Sequence, residues 1–85
     1  MQIKGDKLEL LTILIEECAE VIQVATKNMK FGQIEENRKN LEMEIGDLLC
    51  MIDLAQEHGL ISYSEVTDYQ DAKREKLMKS SELIK

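Results

Sequence analysis

Four carboxylates carry the chemistry this sequence could do: Glu17 with Glu20 in one apolar run, and Glu44 with Asp47 in a second. Each pair is three residues apart, a step that on a helix puts both side chains on one face. The neighbours, Leu10 to Ile15, Val21 to Ala25 and Leu48 to Ile52, read as core. Unpaired ionised carboxylates in an apolar setting cost roughly several kcal/mol, and a divalent cation is the commonest way to compensate several at once. Hard oxygen ligands without histidine suit magnesium, or manganese, and disfavour zinc; no calcium-loop pattern is present. Glu16 sits about 100° from Glu17 around a helix, so it flanks the four rather than joining them. The competing reading is a set of solvated helix faces, which suits Glu35, Glu36 and Glu42; two matching pairs inside apolar stretches speak for the metal site.

To meet, these acids need two helices. The 85 residues contain no proline, and the four glycines mark most of the breaks. Asp6 with Glu9 has the spacing of a capping box, opening a first helix that runs to about Met29 and stops near Gly32. A second helix spans Ile34 to just before Gly59, a residue suited to the left-handed position beyond a helix. Ser62 with Glu65 repeats the capping-box spacing and opens a third, more polar helix that must cover the first two. Period-two alternation is missing, so the fold class is all-α, one domain over residues 1–85. If the first two helices pair antiparallel about Gly32, Glu20 and Glu44 fall at similar heights. Gly46, between Glu44 and Asp47, would let something approach closely.

The first two helices are apolar around nearly their whole circumference, more than three helices in one small chain can cover. A homo-oligomeric helical bundle is expected, a dimer first and a tetramer next. A purely structural coiled-coil oligomer is disfavoured, because the seam does not read as a sustained heptad and holds acids at core positions.

A formal net charge of -6 without a long basic stretch argues against nucleic acid as a partner. No run of about twenty apolar residues suggests a membrane span. Met1 to Asp6 and the acids that follow do not make a signal peptide, so a cytoplasmic location is expected. Cys18 and Cys50 lie in apolar helical runs and read as buried thiols rather than a disulfide framework.

The order Glu16-Glu17-x-x-Glu20, then Glu44-x-x-Asp47, resembles the signature of the MazG-like all-α nucleoside triphosphate pyrophosphohydrolases. The stretch Glu16 to Gln23, the Lys30-Phe31-Gly32 turn and Glu44-Ile45-Gly46-Asp47-Leu48-Leu49 extend the likeness over roughly the first two thirds of the chain. The resemblance implies magnesium-dependent hydrolysis of a nucleoside triphosphate to the monophosphate and pyrophosphate. Glu17, Glu20, Glu44 and Asp47 then match the metal ligands, and Glu16 the remaining acid, with Glu16 or Glu17 as the proton acceptor. It extends to the phosphoribosyl-ATP pyrophosphohydrolases; a non-catalytic helical binding module with the same fold is the other alternative. Fifteen residues precede Glu16, fewer than in many members, so base recognition is expected from elsewhere, such as a neighbouring protomer.

Phosphate chemistry also asks for cations. Lys27 and Lys30 near the turn, and Lys73 and Lys76 on one face of the third helix, are the candidates for substrate binding, with Arg38 and Lys39 in reserve. His58 reads as a helix-terminal group, Tyr63 and Tyr69 as packing for the third helix, Phe31 as a staple at the turn, and Met43 and Met51 as core filling.

Overall fold

A computed structural model of the chain describes residues 2–84; Met1, the start of the segment weighed above as a signal peptide, and Lys85, the end of the domain, lie outside the described residues. Three helices follow in order, α1 Gly5–Phe31, α2 Glu35–Glu57 and α3 Tyr63–Ser80, with no strand among the described residues. The all-α expectation holds. α1 and α2 pack along their lengths as an antiparallel hairpin, and α3 makes little contact with either.

Two asparagines lock the hairpin turn. Asn28 Nδ2 donates to the Val24 carbonyl at 2.7 Å and to the Asn37 carbonyl at 3.0 Å, and Asn37 Nδ2 donates to the Gly32 carbonyl at 2.8 Å. Gly32, at φ 88 and ψ 161, occupies a region essentially reserved for glycine. At the other end α2 closes in a Schellman motif: Leu60 N–H reaches the Ala55 carbonyl at 2.8 Å and Gly59 N–H the Gln56 carbonyl at 3.0 Å, with Gly59 at φ 75. Leu60 then folds onto the core formed by Leu10, Met51 and Ala55, joined by half-buried Ile13, Leu14 and Leu54.

Neither capping box forms. α1 begins two residues early, with Lys4 rather than Asp6 at the N-cap, so Asp6 falls inside the first turn and complements the helix dipole instead. Ser62 does occupy the N-cap of α3, but its hydroxyl pairs with that of Ser64 at 3.0 Å. The start of α3 is held by Tyr63, whose N–H donates to Gln56 Oε1 at 2.8 Å and whose hydroxyl donates to the Asp53 carboxylate. That bond, with burial and the nearby Asp53 and Glu57 charges, pushes the Tyr63 phenol up to about 12.

Beyond this anchor α3 does not cover the hairpin, contrary to expectation; nearly all its side chains are exposed. The helix is too polar to lie across an apolar face. Phe31, Met43 and Tyr69 are exposed too, at 72, 56 and 74%, and are neither staple, core nor packing, whereas Met51 is buried as expected. Cys18 and Cys50 are free and exposed rather than buried, because each is one residue, about 100°, off the packed seam at Glu17 and Met51.

α1 carries two seams. Leu10, Leu14, Glu17, Val21, Val24 and Asn28, at alternating steps of four and three, face α2. One residue further on, Leu8, Leu11, Ile15, Cys18, Ile22, Ala25 and Met29 repeat the rhythm as a full heptad series, contrary to the expectation that none is sustained. Ile15, Ile22 and Met29 on it are 69, 66 and 78% exposed. In an antiparallel pair a one-residue advance turns both helices toward the same side, so Ile45, Leu49 and Ile52 of α2 share this face.

Candidate metal centre

Glu17, Glu44 and Asp47 each bring a carboxylate oxygen within 4.8 Å of the others, midway along the hairpin. The asparagine-locked turn fixes this: with the chain reversing at Gly32, Glu17 and Asp47 are each fifteen residues from the glycine and meet at one height. Glu20, the fourth acid expected as a ligand, lies outside that group of three but close enough to Glu44 to raise its pKa. Glu17 and Glu44 lie in the seam; Glu20 and Asp47, each one residue before a seam position, turn to the face opposite the heptad series.

The cluster is electrostatically uncompensated. Glu44 is 8% exposed, and the neighbouring Glu20 carboxyl, burial, and the Asp47 and Glu17 charges push its carboxyl up to about 7. Glu17 is also raised, first by burial and then by Glu20, Asp47 and Glu16. One oxygen of each, Glu17 Oε2 and Glu44 Oε2, is buried with no hydrogen-bond partner. Buried polar atoms are seldom left orphaned. An all-carboxylate donor set with two unpartnered oxygens fits a hard divalent cation, which would satisfy both and reverse the local potential.

The MazG nucleotide pyrophosphohydrolase domain model matches residues 6–79 of the 85. The chain belongs to the MazG family. Comparison with curated proteins and with solved structures gave no match. The MazG match takes in both acidic pairs, and no helix among the described residues is long and apolar enough to cross a membrane.

Around the MazG acids, Glu16 is exposed, close enough to Glu17 to raise its pKa, and one turn before Glu20. Lys27 follows Glu20 by seven residues and Lys30 follows Glu16 by fourteen, so both lysines extend the same face of α1 toward the turn. Lys73 and Lys76 are exposed on α3, which does not cover that face. Arg38 and Lys39 make surface pairs with Glu42 at 3.9 Å and Glu35 at 3.4 Å. His58 is the C-cap of α2. Gly46 opens on empty space, with nothing within 4 Å of where a Cβ would stand, so the chain itself makes no close approach there. Sequence reasoning missed Asn28 and Asn37; asparagines astride a glycine turn were the available signal.

Proposed function

We propose that this MazG protein is a magnesium-dependent nucleoside triphosphate pyrophosphohydrolase that releases a nucleoside monophosphate and pyrophosphate. The carrying observation is the meeting of Glu17, Glu44 and Asp47 with two orphaned buried oxygens inside a MazG domain. Glu17, Glu20, Glu44 and Asp47 would hold the cation, magnesium or manganese. When bound, it supplies charge neutralisation at the phosphates and lowers the pKa of water. Glu16, outside the ligand set and open to solvent, takes the water's proton as the oxygen bonds to phosphorus and the anhydride bond breaks, with Glu17 the alternative acceptor. Lys27 and Lys30 meet the phosphate tail on the turn side of the acids; Lys73 and Lys76 would reach it from a second copy.

The working form is a homo-oligomer in the cytoplasm, a dimer or a tetramer. Supporting this, the exposed heptad series runs about 31 Å along α1, and its flanking Thr12, Ala19 and Thr26 are small and uncharged. With Ile45 and Leu49 it offers a face two helices wide, of the order of the ~800 Å² per partner that a stable interface buries.

Incubation with a nucleotide panel, detecting pyrophosphate separately from orthophosphate, tests the activity. Magnesium-dependent pyrophosphate is expected; orthophosphate alone, or indifference to metal, refutes it. Glu20→Ala and Asp47→Ala should each reduce turnover to background with the helical circular dichroism signal intact, and retained activity would remove them from the ligand set.

A further inference from the structure

Between the acids and the open end of the hairpin lies a cleft of about 310 Å³, near the small end of the ~300–1,000 Å³ typical of small-molecule sites. Its floor is apolar: Leu10, Ile13, Met51 and Leu54. Ile13 lies four residues before Glu17 and Met51 four after Asp47, one helical turn from the acids on both sides. Glu9 and Leu54 come a turn later, and Asp6 and His58 close the far end. The polar groups on the rim are thus two carboxylates and one imidazole, with no lysine or arginine.

On the other side of the acids lie Lys27 and Lys30. Along one face of α1, then, a nucleotide meets cations, carboxylates and an apolar cleft in the order of its own parts: phosphate tail, reacting phosphate, base. A nucleotide held by its phosphates at Glu17 and Asp47 spans about two helical turns to the outer edge of its base, which brings that edge to Glu9. A carboxylate only accepts hydrogen bonds. Facing an amino group it is satisfied; facing a carbonyl, two acceptors oppose each other and both lose their water.

We infer that this cleft takes the nucleobase, and that Glu9 selects bases carrying an exocyclic amino group, cytosine, adenine or guanine, over uracil and thymine. The inference rests on the pyrophosphohydrolase reading above, and supplies from within one chain the base site that the sequence led us to seek in a neighbour.

The test compares dCTP with dUTP, which differ at C4, amino against carbonyl, and at the adjoining N3, acceptor against N–H. With magnesium, kcat/KM should favour dCTP by at least about tenfold, mostly through KM. Glu9→Gln, whose amide both donates and accepts, should raise KM for dCTP, lower it for dUTP and bring the ratio to within about threefold. Calorimetric binding of the α,β-imido analogues should show the same order, independently of turnover. Ile13→Phe, which fills the floor, should raise KM for both nucleotides and guards against a Glu9 variant that fails to fold. Equal kcat/KM for the two nucleotides, or a preference that Glu9→Gln leaves intact, overturns the base assignment while pyrophosphate release still upholds the reaction. No pyrophosphate from any triphosphate overturns both.

Discussion

Glu44 is the residue on which the site's energetics turn. Its carboxyl is pushed up to about 7 by the neighbouring Glu20 carboxyl, by burial, and by the Asp47 and Glu17 charges. A carboxyl whose folded pKa is raised gives stability that is present below the unfolded value, about 4.5, and is lost as pH climbs through the folded one. Metal-free protein should therefore lose thermal stability between about pH 4.5 and 7 through this group. Magnesium should raise the melting temperature more at pH 7.5 than at pH 5.5, since the cation needs the ionised form. Glu44→Gln should flatten the metal-free slope and abolish the magnesium response; an unchanged slope would assign it to other acids. The acid pairs were legible in the sequence because a three-residue step fixes a shared helix face. The raised pKa of Glu44 was not, since it depends on how closely two helices approach.

At the scale of elements, the turn and the end of α2 were readable because each depends on a glycine in a conformation other residues avoid. Gly32→Ala should cost about 1–3 kcal/mol in a denaturant melt. The substituted Cβ would meet nothing within 4 Å, so that cost would be purely of the backbone. A neutral result would mean the turn relaxes, and the acids' heights would then rest on Asn28 and Asn37 alone. α3 was misjudged because covering an apolar face was assigned to the only helix left, although Lys73, Arg74, Glu75 and Lys76 make it too polar for that work. The exposed heptad escaped notice for a related reason. Leu10 to Ile15 reads as an apolar run broken only by Thr12, and the structure divides it among the faces of α1.

Among the described residues the hydrophobic core holds three buried side chains, Leu10, Met51 and Ala55, too little for a chain of this length to be robust alone. The proposed oligomer repairs that deficit on the face opposite the acids. Ile22→Lys, at the middle of the exposed seam, should dissociate it to single chains in sedimentation at micromolar concentration; unchanged sedimentation would put the interface elsewhere. The two seams of α1 have a further consequence. The outer one contains no charged residue, whereas the inner one holds Glu17 and Asn28, so by hydrophobicity alone α1 would roll about 100° and press the outer seam against α2. In such a rolled isomer Cys18 would take the place of Glu17 and the carboxylates would scatter. A partner covering the outer seam would disfavour that roll, and so would hold the helix at the angle the site needs.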